Sequence, residues 1–178
     1  MKEKITITKK IISLILILFL FIPAMLIFAA CNINNDRDFF RLSTGGRHTL
    51  YIDNAGNLWA WGDNSRYQLG GFNPTGELDP VHVNTGGRMN NARIVSVAAG
   101  WEHNLAIDEF GNLWAWGQND RGQLGDATTT NRATPIRVNT GNRMNNARII
   151  SIAVGGRHSL AIDEFGFLWS WGDNGEIM

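Results

Sequence analysis

The chain has 178 residues, of which 44% are hydrophobic and 18% charged. That length suits one domain, and the composition excludes a collagen, a disordered polyelectrolyte and a multi-span membrane protein. The formal charge is zero but unevenly divided: all four lysines lie in the first ten residues, and from Cys31 onward 12 arginines face 15 acids, a net of −3. A mildly acidic, lysine-free stretch is poorly suited to neutralising phosphates, which argues against a nucleic-acid partner.

Residues Met1–Lys10 are basic and polar. Ile11–Ala30 are apolar apart from Ser13 and Pro23, and the chain then turns polar at Asn32, Asn34 and Asn35. A basic head, an apolar core and small residues before the junction predict a signal peptide or membrane anchor over 1–30, with a short linker over 31–37. The basic head stays in the cytoplasm, so the remainder is expected outside. Cys31 is the single cysteine, which excludes an internal disulfide and a cysteine-built zinc cage. With Ala29 and Ala30 before it, Cys31 resembles the lipobox cysteine of bacterial lipoproteins; Phe28 stands where that pattern usually has leucine. The resemblance implies lipidation at Cys31 and a place at the outer face of a bacterial membrane. An uncleaved anchor stays open too, because an apolar run of about 20 residues spans the hydrocarbon layer, as does ordinary cleavage and secretion.

Beyond the linker the chain repeats itself. His48, His103 and His158 are 55 residues apart, and so are Trp61, Trp116 and Trp171, and Gly62, Gly117 and Gly172. Ala98–Asn119 matches Ala153–Asn174 at 15 of 22 positions. Periods of this size belong to solenoids and propellers. The repeats are expected at about 38–92, 93–147 and 148–178, the last cut short.

Within a repeat the hydrophobic period is two. Ile94–Ala99 and Ile149–Val154 are short and β-branched and read as strands, followed by His103–Ile107 and Asn112–Trp116. Asp108-Glu109-Phe110-Gly111 joins the latter two as a type I turn ending on glycine, with copies at Asp53–Gly56 and Asp163–Gly166. A fourth extended piece is expected after each proline, at Val81–Val83 and Pro135–Val138. The polar, glycine-bearing segments Asn84–Ala92 and Asn139–Ala147 are expected to project into solvent. Four short strands per unit is the make-up of a propeller blade.

The residues also carry a family likeness. Gly45-Gly46-Arg47-His48-Thr49-Leu50 resembles the G-x-x-H-S/T-L element of the regulator of chromosome condensation repeat, as do Gly100–Leu105 and Gly155–Leu160. Gly117–Gly125 (G-Q-N-D-R-G-Q-L-G) resembles its second signature, G-x-N-x-x-G-Q-L-G, and Gly62–Gly70 copies it with Tyr67 in a glycine slot. The resemblance covers about 38–178. It implies an all-β chain of four-stranded antiparallel propeller blades, about two and a half of an expected seven. The remaining blades are then expected in a longer chain or an oligomer, or the gene is truncated and its product without function.

The notable residues have plain structural readings. Three histidines could ligate a metal, but no acidic or cysteine ligand travels with them. The resemblance gives each a hydrogen-bonded structural place instead. Asp53, Asp108 and Asp163 open tight turns and are expected to cap backbone amides. The pairs Trp59/Trp61, Trp114/Trp116 and Trp169/Trp171 sit two apart, so each pair shares a face, and packing between blades explains them. Trp101 stands where the other repeats have Gly46 and Gly156, which marks it as the tryptophan suited to contact a partner.

No nucleotide-loop, nucleophile-elbow or H-E-x-x-H motif occurs, and repetition itself disfavours a catalytic centre, which needs asymmetric groups. No catalysis, cofactor or metal is expected. The expected function is an exported, membrane-tethered module that binds an unidentified protein. The resemblance offers inhibition of an extracellular enzyme as a specific version. It also offers guanine-nucleotide exchange on a small GTPase, which an export signal disfavours.

Overall fold

The computed structural model describes residues 41–83, 89–138, 144 and 147–173. The expected signal or anchor (1–30), the lipidation candidate Cys31 and the linker (31–37) lie outside the described residues. Among those described there is no helix, and so none long and apolar enough to cross a membrane.

The described chain forms three antiparallel sheets. Strands β1 (Leu42–Thr44), β2 (His48–Ile52), β3 (Leu58–Gly62) and β4 (Glu77–His82) lie side by side in that order as blade 1. Blade 2 repeats the order with β5 (Ile94–Ala99), β6 (His103–Asp108), β7 (Leu113–Gly117) and β8 (Arg132–Arg137). Blade 3 has β9 (Ile149–Val154), β10 (His158–Asp163) and β11 (Leu168–Gly172). The β5 and β9 limits coincide with the expected strands, because β-branched side chains favour the pleated backbone.

Each central hairpin is closed by its aspartate turn. The amide of Gly111 donates to the Asp108 carbonyl at 2.9 Å, and those of Gly56 and Gly166 to the Asp53 and Asp163 carbonyls at 3.0 and 2.9 Å. These glycines have φ of 81°, 87° and 85°, a left-handed backbone that explains glycine at the fourth turn position.

Two expectations need correction. The fourth strands do not begin at or after the prolines: β4 starts at Glu77 and β8 at Arg132, so Pro80 and Pro135 lie inside them. Both are edge strands, and the register slips opposite them, between Ala60 and Gly62 and between Ala115 and Gly117. An edge strand with a bulge tolerates a residue without an N–H. The second correction concerns the polar segments after these strands. Of Asn84–Ala92 and Asn139–Ala147, only 89–92, 144 and 147 are described. There Met89 and Met144 are buried, each in one of the two apolar cores. A single unbranched apolar side chain inside a polar run plugs the gap between sheets.

The cores lie between blades. Leu50, Ile52, Leu58 and Ala60 of blade 1 pack with Val97, Trp114 and Trp116 of blade 2. Leu105, Ile107, Leu113 and Ala115 of blade 2 pack with Ile149, Trp169 and Trp171 of blade 3 in the same way. Each blade is thus half of a core and needs its neighbour to bury its apolar face.

Candidate functional site

The repeated residues converge on a hydrogen-bonded latch between blades. His48 Nε2 donates to Asn104 Oδ1 of the next blade at 2.6 Å. Asn104 Nδ2 in turn donates to the Gln68 carbonyl at 2.8 Å, and Trp116 Nε1 donates to the same carbonyl at 2.9 Å. One repeat later His103 Nε2 donates to Ser159 Oγ at 3.0 Å, while Ser159 Oγ and Trp171 Nε1 donate to the Gln123 carbonyl at 2.8 and 2.9 Å. The repeated histidines of blades 1 and 2, His48 and His103, therefore each cross to the following blade rather than staying in their own. His158, on blade 3, is exposed.

Gly62, Gly117 and Gly172 stand across from these histidines in the ladder. Their φ values are 111°, 103° and 102°, and a Cβ on Gly62 would lie 2.5 Å from the Arg47 carbonyl oxygen. Both facts exclude a side chain there. Burial keeps the His103 imidazole neutral, with the neighbouring His48 and His158 adding to the effect, and pushes its pKa down to about 4. Burial likewise lowers His48, against smaller opposing contributions from Asn104, Asp63 and Glu102.

The turn aspartates are satisfied carboxylates. Asp53 Oδ1 accepts the amides of Ala55 and Asn57, both at 2.9 Å, and its Oδ2 accepts Trp59 Nε1 at 3.0 Å. Asp108 and Asp163 make the same bonds to their own turns and to Trp114 and Trp169. Burial works against the Asp53 charge, but the bonds from Asn57, Trp59 and Ala55 outweigh it and hold the carboxyl at about 2. Such a group neither gives nor takes a proton near neutrality. Among the described residues no group of three or more His, Cys, Asp or Glu side chains is placed to hold a metal.

The second signature stitches its own loop. Asn64 Oδ1 accepts the Leu69 amide and Asn119 Oδ1 the Leu124 amide, at 2.8 and 2.9 Å, which seats both leucines in the cores. Gln68 Oε1 and Gln123 Oε1 accept the amides of Arg66 and Arg121 at 2.8 Å. Tyr67 adopts φ 67° where the next blade has Gly122 at φ 73°.

The tryptophan pairs divide by blade. Trp114 and Trp116 are buried against blade 1, while Trp169 and Trp171 pack against the second core. Trp59 stacks on His82 of its own blade, with ring centroids 4.8 Å apart.

The loops Gly45–Arg47, Gly100–Glu102 and Gly155–Arg157 open the second strand of each blade, and backbone bonds link them. Gly46 N donates to the Gly100 and Trp101 carbonyls at 3.2 Å, and Trp101 N donates to the Gly156 carbonyl at 3.3 Å. The Trp101 ring lies over Gly156, where a Cβ would come within 3.0 Å of it, and the Arg157 guanidinium is 5.9 Å from the ring centroid. Trp101 remains 60% exposed. Sequence reasoning missed Arg157, as well as the latch acceptors Asn104 and Ser159. The signal for the latter was that Thr49, Asn104 and Ser159 all follow a repeated histidine and all carry a hydrogen-bonding side chain.

Antiparallel blades of up to four strands, packed face to face and latched by hydrogen bonds, define a β-propeller type of repeat protein. The family model for the regulator of chromosome condensation (RCC1) repeat matches residues 55–107 and 111–162, and a second model for that repeat matches 41–68, 94–123 and 149–176. The chain belongs to the RCC1 repeat family. It is 36% identical over 132 residues to the mitochondrial RCC1 domain-containing protein RUG3 of Arabidopsis thaliana, covering 74% of this chain and 28% of that one. Human WBSCR16 superposes with a TM-score of 0.66 at 21% identity, over 74% of this chain and 32% of that one. Yeast RCC1 (Prp20), in its structure bound to Kap60, gives a TM-score of 0.62 at 25% identity, over 74% of this chain and 31% of that one. The chain thus spans about a third or less of the length of these relatives.

Proposed function

We propose that this chain is an exported, membrane-tethered protein-binding module without catalysis, and that Trp101 is at the centre of its contact face. The exposed Trp101 indole carries the reading. It replaces a glycine found at both equivalent loops, and its ring lies over Gly156 with the Arg157 guanidinium 5.9 Å from its centroid. An exposed tryptophan offers large contact area with few rotatable bonds, and such residues dominate interface energetics. Hydrogen bonds hold the Asp53 carboxyl down at about 2, and burial keeps the His103 imidazole neutral, which supports a structural place for these repeated residues. Binding of Kap60 by the yeast RCC1 relative supports a protein as the partner class. The basic head and apolar run of Met1–Ala30, with Cys31 at their junction, support export and lipid tethering.

The test is affinity capture from the membrane and secreted fractions with the tagged full chain and its Trp101→Ala variant side by side. A protein retained by the native chain and reduced at least tenfold by Trp101→Ala supports the reading. Equal recovery by both, or no recovery by either, overturns it. Labelling of Cys31 by a lipid precursor checks the tether separately.

A further inference from the structure

Two aromatic side chains in one loop of blade 1 have no counterpart in blade 2, and both line the same cavity. Between β3 and β4 stand Tyr67 and Phe72, where the loop between β7 and β8 has Gly122 and Ala127. The cavity is open to solvent and has a volume of about 360 Å³. Its other wall is Asn131 with strand β8, so it is bounded by blade 1 on one side and blade 2 on the other. That size falls within the range of small-ligand sites, about 300–1,000 Å³.

Packing explains neither aromatic residue. Tyr67 is held at φ 67°, its amide donating to the Asn64 carbonyl at 2.9 Å and its carbonyl accepting the Gly70 amide at 3.1 Å. A bulky side chain in the left-handed region is strained, and such strain clusters at ligand-binding sites. Gly122, at φ 73°, shows that the same turn closes with no side chain. Phe72 is 78% exposed and leaves its ring to the cavity and solvent.

The facing wall is polar without net charge. Arg132 is spent on Asp126, with Nε at 2.7 Å and Nη2 at 2.6 Å from its carboxylate, which cancels the cation beside the cavity. Asn131 Oδ1 accepts the Asn119 amide at 2.9 Å. That bond fixes the side chain and leaves its Nδ2 donors unbonded among the described residues. Thr134 is exposed and adds a hydroxyl that both donates and accepts. Aromatic faces are negative and attract polarised C–H groups, while amide and hydroxyl side chains pair with hydroxyl groups. A ligand with C–H faces, hydroxyl edges and no charge matches both walls, and a sugar ring has that chemistry.

We propose that this cavity binds a neutral sugar, its ring against Tyr67 and Phe72 and its hydroxyls bonded to Asn131 and Thr134. The proposal is independent of the Trp101 reading, since none of these residues belongs to the Trp101 loops.

The test passes the full chain, in a detergent without a sugar headgroup, over immobilised neutral disaccharides of glucose, galactose, mannose and N-acetylglucosamine. Sialyllactose and a blocked trileucine peptide are immobilised beside them. Retention on at least one neutral disaccharide, lowered at least tenfold by Tyr67→Gly and by Phe72→Ala and kept by Trp101→Ala, supports the proposal. Tyr67→Gly puts in the residue that the next blade uses, and its melting temperature is expected to be no lower than that of the native chain. A loss of retention in that variant therefore reports the site and not unfolding. Retention on no neutral disaccharide, or only on sialyllactose or trileucine, overturns the proposal. So does retention that is indifferent to Tyr67→Gly and Phe72→Ala, or that is lost with Trp101→Ala.

Discussion

The joint between blades 1 and 2 and the open face of blade 3 are built from nearly the same residues and end in opposite states. In the joint, Trp116 is fully buried, His48 crosses to Asn104, and Leu58 and Ile52 are sealed. On blade 3 the corresponding His158, Ile162 and Leu168 face outward. The same motif is therefore core or surface according to whether a neighbour is present. Stability in this fold is a property of joints, as expected where each repeat contacts only its neighbours.

The joint can be broken most directly at Trp116. Trp116→Ala removes a fully buried indole and its bond to the Gln68 carbonyl, and is expected to cost about 3–5 kcal/mol of unfolding free energy. Trp171→Ala, at the half-buried counterpart, is expected to cost less than half as much. Denaturant unfolding of the two variants measures this, and equal costs would refute the difference in burial between Trp116 and Trp171.

Acid tests the joint next. The folded state holds His103 at about 4, below the ordinary value of 6.5, so the unfolded chain binds the proton more readily. The stability from the neutral imidazole is present above pH 6.5 and is lost as pH falls from there to about 4. The loss amounts to roughly 3 kcal/mol for this residue, and His48 adds in the same direction. Asp53 loses its contribution in a lower window, from its ordinary 3.8 down to about 2. Unfolding midpoints measured between pH 7 and 4 should fall for the native chain and flatten for His103→Gln. A flat native profile would contradict the burial of this side chain.

The smallest effect sharpens a comparison between loops. Tyr67 holds the left-handed backbone that Gly122 holds in blade 2. Tyr67→Gly relieves that strain and is expected to stabilise by about 1 kcal/mol, read as a raised melting temperature.

Much of this was legible in the residues. The 55-residue spacing of His48, His103 and His158 and the two linked signatures pointed to the blades, and the aspartate turns pointed to the hairpins. These are local features: alternation selects a strand, and aspartate followed by glycine selects a turn, whatever lies nearby. The strands around Pro80 and Pro135 were placed too late because edge position and a bulge are tertiary facts. Met89 and Met144 were read as solvent-facing because a lone methionine in a polar run carries no period.

Local pattern decided the strands, the turns and the repeat, since each follows from side chains within a few residues. Tertiary structure alone decided that His48 bonds Asn104 and His103 bonds Ser159, each pair 56 residues apart. It also decided that Trp101 lies on Gly156 beside Arg157, and that Leu168 is exposed while Leu113 is buried. Those outcomes depend on which surfaces meet when one blade stacks on the next. Burial is a relation between two faces, and a repeated sequence states each face without stating what covers it.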